Sequence, residues 1–504
     1  MRSPSSSEFD YIIIGGGTAG CVLAARLTEQ PGVRVLLLEA GRDYPLTFSV
    51  PLASFRFTPP YQWRYRTTTQ TGLRGRSLAF PTGKVVGGTS SINAMIYYRG
   101  PAASYDRWEQ FGNTGWSYRD VLQYFRKSDE FVSRPQHIAA FSQSFVDACM
   151  ETGMRRTDDF NGPQEEGVGF YAVLQRDGRR AGAATSYLDP ARRRSNLQVR
   201  TSALVRKILL EGNRAAGVEL LNGETAFAAG EVILSAGALH SPKTLMLSGI
   251  GPADHLKRIG IAARVDLPGV GEHLLDHLHV PVLYGSGQRS PGAHLYWPVA
   301  AIQYAIRRQG VLTSNCCESG AIVSTRPDFP MPDVQFVAHF QSPLAPNAVD
   351  LEVCLLPHSV PGTVRAVSDD PTALPEVDPK YLVDDADVAC AIRGIRLARE
   401  IAQAPSLRRF PLHAEILPGK RTSSDADLAG YVRATADSGH HHAGTCKMGN
   451  DPMAVVDRFL RVHGIECLRV VDASIMPDIP GGNTCAPVLM IAEKAADLIR
   501  SGER

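Results

Sequence analysis

FDYIIIGGGTAG, residues 9–20, decides the fold. Phe9 to Ile14 is a short aromatic and β-branched run of the kind that makes a buried strand, and it leads straight into the turn Gly15-Gly16-Gly17-Thr18-Ala19-Gly20, a GxGxxG. Thr18 to Gln30 then reads as a helix with Val22, Leu23 and Leu27 apolar, and Val33 to Leu38 as a second buried strand ending at Glu39. The glycines have separate tasks: Gly15 permits the tight turn, Gly17 lets the backbone approach a pyrophosphate, and Gly20 lets helix and strand pack closely. Phosphates would sit on the helix N-terminus, where unsatisfied N–H groups and the helix dipole favour anions. Glu39 is placed to accept hydrogen bonds from the adenosine ribose hydroxyls. A bare glycine turn would say little, but strand, helix, strand and glutamate together make a dinucleotide-binding unit. NAD and FAD both present an ADP half, so the fingerprint does not separate them. Gly269-Val270-Gly271 lacks a third glycine and follows Pro268, which leaves one such unit and one bound dinucleotide.

Around this unit the chain has 504 residues, and single hydrophobic cores stop growing near ~250 to 300 residues, so two domains are predicted. With 44% hydrophobic and 21% charged residues the composition is that of a globular protein. Lys and Arg number 53 against 51 acidic residues, which gives no electrostatic footprint for nucleic acid. The polar start MRSPSSSEFD has no apolar signal-peptide core and no later stretch reaches the ~18 apolar residues of a membrane span, so a cytoplasmic location is expected. Nine scattered cysteines without a CxxC pair read as reduced thiols.

Two further segments are rich in glycine and hydroxyls. GKVVGGTSSIN (83–93) reads as a loop before a helix capped by Thr89 or Ser90, and GALHSP (237–242) closes a strand, Val232 to Ser235, and opens a helix. In their order and spacing, FDYIIIGGGTAG, LLLEAG, GKVVGGTSSINAMIYYRG, VILSAGALHSPKTLMLSGIG, HHHAGTCKMG and LRVVDASIMPDIPGGNTCAPVLMIAEKAADLI resemble the glucose-methanol-choline oxidoreductases, a family of FAD-dependent alcohol oxidases and dehydrogenases. The resemblance spans nearly the whole chain. It implies non-covalent FAD, because Ile92 stands where some relatives carry the histidine that bonds to the flavin. It also implies cofactor contacts from Gly15, Gly17, Thr18, Ala19, Glu39 and Ala40, and from Val85, Gly88, Ser91, Asn93, Ala94, Met95 and Ile96 around the flavin ring. Val205 would meet adenine through its backbone, Asp472 and Ala473 the pyrophosphate and ribityl chain, and Thr484 the flavin, while Trp63 is either beside the cofactor or a structural tryptophan.

The three adjacent histidines 440–442 invite a metal reading. In an extended stretch, however, His440 and His442 would share one face and His441 the other, and no HExxH or CxxC pattern accompanies them. No metal is expected. The resemblance places the catalytic histidine at His441, and neutral imidazole suits a base that takes the hydroxyl proton as hydride leaves the carbinol carbon. Its partner would be Asn483, whose amide can hydrogen-bond the substrate oxygen, unless the residue only serves a Gly481-Gly482-Asn483 turn. His442 stands where proline is common and Cys485 replaces the usual second asparagine.

The fold class expected is α/β, α+β overall. A Rossmann-like FAD-binding domain (1–125, 181–274 and 439–504) would carry a substrate domain (126–180 and 275–438) built on an antiparallel sheet flanked by helices. Asp333 to Phe340 and Leu351 to Leu356 fit strands of that sheet. The function expected is oxidation of a small-molecule alcohol to a carbonyl; choline, aryl alcohols, sugars and aliphatic alcohols suit the motifs equally, as do oxygen and other electron acceptors. The alternative is a non-redox member of the same family, a hydroxynitrile lyase or a fatty-acid photodecarboxylase.

Overall fold

The computed structural model describes residues 9–54, 59–286, 297–326, 331–345, 347–356, 359–410 and 412–502. The quoted strand forms over Phe9–Ile14 and lies in a parallel sheet between Val35–Leu38 and Thr225–Leu234, with Leu197–Arg200 and Leu468–Val470 outside them. All four residues of Val35–Leu38 are buried, as a sheet covered on both faces requires. The helix after the glycine turn runs Thr18–Leu27, shorter than predicted. Thr28 turns its hydroxyl back onto the Ala24 carbonyl at 2.7 Å, and Gln30 precedes Pro31, which disfavours helical backbone. This helix packs against the last one, Cys485–Ser501. Arg26 reaches the fully buried Glu493 at 2.8 Å, so the two ends of the chain close one unit.

A second, antiparallel sheet orders its strands Leu412–Leu417, Leu283–Ser286, Ala348–Leu355, Val334–His339, Ser319–Val323 and Gly167–Phe170. The helix Asp385–Gln403 packs on it and is capped by Asp384, whose carboxylate accepts from the Ala386 N–H at 2.8 Å. Each sheet has its own hydrophobic core. The architecture is therefore α/β, with a mainly parallel sheet, extended by an antiparallel hairpin over Val205–Glu211 and Arg214–Leu220, and a second, antiparallel sheet. Tyr65, Leu73, Leu78 and Phe80 are buried in the second core although they lie before residue 125.

The segment after GKVVGG departs from expectation. Gly88–Ser91 is one 3-10 turn, uncapped by Thr89 or Ser90, and the next element is a short strand, Ile96–Tyr97, rather than a helix. Asn93 accepts from the Met95 N–H at 3.0 Å and Met95 takes a φ of 59°, which ends any helical path.

Candidate active site

A cavity of about 650 Å³ runs from the glycine turn to the face of the antiparallel sheet. At its nucleotide end Gly15 has a φ of 101°, and a Cβ there would lie 2.5 Å from the Ser235 carbonyl oxygen, so only glycine fits. A Cβ on Gly17 would approach nothing but the Ser235 oxygen, at 3.9 Å, leaving that face open to the cavity. Thr18 and Ala19 open the helix, whose N-terminus no side chain caps. Glu39 is buried, its two oxygens accepting from the N–H groups of Gly16 at 2.8 Å and Gly41 at 2.6 Å. Burial pushes its carboxyl up to about 7 against those two donors. Each oxygen keeps a further lone pair for a ligand hydroxyl. Asp472 likewise accepts from the Gly237 and Ser474 N–H groups and the Ser241 hydroxyl. Free helix N–H groups, a spacious glycine and a carboxylate beyond them fit an ADP-bearing cofactor. Ala40, Val205 and Ala473 line the same stretch.

Midway along, Gly88, Ile92, Asn93, Ala94, Met95, Ile96, Trp63 and Thr484 line the wall where the flavin ring is expected. Trp63 stacks on His240, 4.5 Å between centroids, with Lys84 Nζ 4.0 Å over its ring. Arg180, buried and absent from the motif reading, clamps this loop by donating to the Asn93 side chain and carbonyl and to the Ser90 carbonyl. Val85 and Ser91 do not line the cavity. Val85 is fully buried in a bridge with Arg42, and Ser91 donates its hydroxyl to the Val86 carbonyl at 2.8 Å, away from the ligand space. Cys485 lines the wall with its thiol pushed up to about 11 by burial, which makes it an unreactive packing group.

The far end of the cavity gathers segments distant in sequence. His441 Nε2 stands 3.1 Å from Asn483 Nδ2, its Nδ1 is 2.9 Å from His277 Nδ1, and its backbone N–H donates to Asp276 at 2.6 Å. Burial, with His277 and His279 close by, holds the His441 imidazole well below its ordinary 6.5, so it is neutral at neutral pH. Burial alone would push Asp276 up, but His442 and the hydroxyls of Ser438 and Tyr381 bring it down to about 2. The histidine run is not extended: His440 takes a φ of 61° and donates its N–H to the Ser438 hydroxyl, while the His441 N–H donates to Asp276. His442 stacks on Phe80 at 4.2 Å, and among the described residues no group of three potential ligands is arranged to hold a metal. Beyond His441 the cavity wall carries Glu352 between His279 at 2.9 Å and His339 at 3.1 Å. Asp276, His277 and His279 escaped the motif reading, though three histidines and an aspartate between residues 273 and 279 were a signal to follow.

Residues 9–279 and 357–492 match the N-terminal and C-terminal patterns described as GMC oxidoreductase. Human mitochondrial choline dehydrogenase is 40% identical over 99% of this chain and 91% of its own. An alcohol dehydrogenase [acceptor] of Pseudomonas putida is 40% identical over 97% and 95%. Among solved structures, pyridoxine 4-oxidase from Mesorbium loti superposes with a TM-score of 0.88 at 31% identity, over 97% of this chain and 99% of that one. With that agreement in sequence and in fold along nearly its whole length, and with the nucleotide cradle in place, the chain belongs to the GMC oxidoreductase family of FAD-dependent enzymes.

Proposed function

We propose that the protein oxidises the CH–OH group of a small alcohol to a carbonyl at His441 and Asn483. The observation that carries this reading is the 3.1 Å bond between Asn483 Nδ2 and His441 Nε2 at the cavity wall. A substrate hydroxyl entering there displaces that bond. It donates its proton to Nε2 and accepts from the Asn483 amide, so one oxygen is held by base and donor together. FAD held along the cavity would supply the acceptor for the hydride that leaves the carbinol carbon. The proton taken by His441 leaves its Nδ1–H on His277 and its backbone N–H on the Asp276 carboxylate, which stabilises the imidazolium. Choline, named for the human and mouse relatives, and aryl alcohols are the substrate classes we would try first.

We further propose that the FAD-binding part comprises 1–125, 181–274 and 439–504, that FAD is held without a covalent bond, since Ile92 at the ring wall has no group to form one, and that the location is cytoplasmic. The nine cysteines, none in a disulfide, support the last point; no helix among the described residues is long and apolar enough to cross a membrane. Acid precipitation should leave the flavin in the supernatant; flavin in the pellet would refute the non-covalent reading. The activity is tested by mixing the oxidised holoenzyme, in the dark and without oxygen, with choline, benzyl alcohol and pyridoxine. At least one should bleach the flavin within seconds. Cyanohydrin cleavage with an unchanged flavin spectrum, and no bleaching by any alcohol, would point to the non-redox alternative instead.

A further inference from the structure

An amide beside a catalytic histidine can present either its oxygen or its nitrogen, and the two faces demand opposite tautomers of the ring. The orientation here is set from the antiparallel sheet. Tyr171 donates its hydroxyl to the Phe336 carbonyl at 2.7 Å, and a carbonyl can only accept. The Tyr171 oxygen is thereby left as an acceptor, 3.1 Å from Gln335 Nε2. The same Nε2 lies 3.2 Å from Asn483 Oδ1, so the two N–H bonds of Gln335 are spent on two oxygens. With its oxygen claimed, Asn483 can show His441 only its NH₂, at 3.1 Å from Nε2. Nε2 must therefore carry the lone pair, and the ring hydrogen sits on Nδ1, aimed at His277 Nδ1 2.9 Å away.

Gln335 and Tyr171 are both fully shielded from solvent, and Gln335 lies in an inner strand paired with Cys354 on one side and Ile322 on the other. Gly320 makes the arrangement possible, because a Cβ there would lie 2.1 Å from the Tyr171 hydroxyl oxygen. The side-chain oxygen of Gln335 meets no donor among the described residues. Turning the amide over would set that oxygen against the oxygens of Tyr171 and Asn483, so its nitrogen fixes the orientation.

The geometry points to Gln335 and Tyr171 as positioning residues that orient the Asn483 amide and thereby hold His441 in the tautomer with a free lone pair on Nε2. This rests on the proposed role of His441 as base. The informative variant is Gln335→Glu, because its protonation state decides what it can offer Asn483. A neutral carboxyl can still donate an O–H to Asn483 Oδ1; a carboxylate can only accept, which pulls the Asn483 NH₂ round and turns its oxygen to His441, forcing the hydrogen onto Nε2. Burial raises the pKa of such a carboxyl, so the change falls in an accessible range.

The test is nitrogen NMR of histidine-labelled, FAD-loaded protein, with the His441 signals assigned by subtracting the spectrum of His441→Asn. In the native protein Nε2 should resonate as an unprotonated nitrogen and Nδ1 as a protonated one. In Gln335→Glu the two should exchange character as pH rises. Flavin reduction by the alcohol that bleaches the native enzyme fastest should then slow by about tenfold or more toward high pH, opposite in sign to the native acid limb. Gln335→Met, which has no donor, should slow reduction at all pH values with FAD still bound, and guards against a charge merely unfolding the site. Protonated Nε2 in the native protein, or an identical His441 tautomer and native pH profile in Gln335→Glu, would overturn the inference. Native-rate flavin reduction by His441→Ala would instead bring down the proposed base, and the two failures are read in different experiments.

Discussion

The two ends of the cavity are held together by different means. At the nucleotide end the polar groups are fixed by main chain: Glu39 is anchored by two backbone N–H groups, Asp472 by two more and a hydroxyl, and the helix Thr18–Leu27 brings an N-terminus that no side chain caps to the cavity. At the reacting end the contacts run between side chains that are distant in sequence, His277 with His441 across 164 positions and Gln335 with Asn483 across 148. Main-chain anchoring makes a site for tight, unvarying binding of one cofactor. Side-chain anchoring leaves each hydrogen's place to be set by its neighbours, which suits a site whose protons must move.

Mutations should separate the ends. The largest effect belongs to the reacting end: His441→Ala should slow anaerobic flavin reduction by about 10² to 10⁴, the span of a positioned general base, with FAD occupancy unchanged. Loss of FAD from this variant would erase the distinction between the ends. Asn483→Ala removes the hydrogen bond proposed to the substrate oxygen, worth roughly 1.5 to 3 kcal/mol, so reduction should slow about ten- to a hundredfold. The reverse pattern is expected of Glu39→Ala. It strips an acceptor from Gly16 and Gly41 and the acceptor proposed for the ribose, so FAD affinity measured by dialysis should drop about ten- to a hundredfold, while the variant saturated with FAD should reduce at near the native rate. Equal FAD retention would remove Glu39 from the binding set. The smallest effect is that of His440→Ala. Its ring sits at the cavity edge outside the His441 chain of hydrogen bonds, and its replacement should change reduction by no more than about threefold.

What could be read in the sequence follows the same division. Phe9–Ile14, the glycine turn and Glu39 were legible because main-chain geometry dictates residue type locally, so pattern and structure coincide over a few positions. The segment 94–98 was not, since five apolar residues carry too little periodicity to tell a strand from the start of a helix. His441, Asn483, Val85 and Ser91 were all named through family motifs; the first two line the cavity and the side chains of the last two do not, because a motif marks a loop without saying which of its side chains face inward. Asp276, His277, Gln335 and Tyr171 are brought to His441 and Asn483 by the antiparallel sheet and the chain entering it, and nothing local in the sequence announces contacts that far apart.

The most direct measurement is the pH dependence of single-turnover flavin reduction in the native protein and in His441→Ala. Proton acceptance requires the neutral ring, so the native rate should be level near neutral pH and fall as pH drops through the pKa of His441. Burial beside two other histidines depresses that pKa, so the limb should lie below the ordinary 6.5. In His441→Ala the residual rate should show no such limb, while Asn483→Ala, slower but with its base intact, should keep it. An acid limb that survives unchanged in His441→Ala would show that another group takes the proton, and the division of the cavity drawn here would fail at its reacting end.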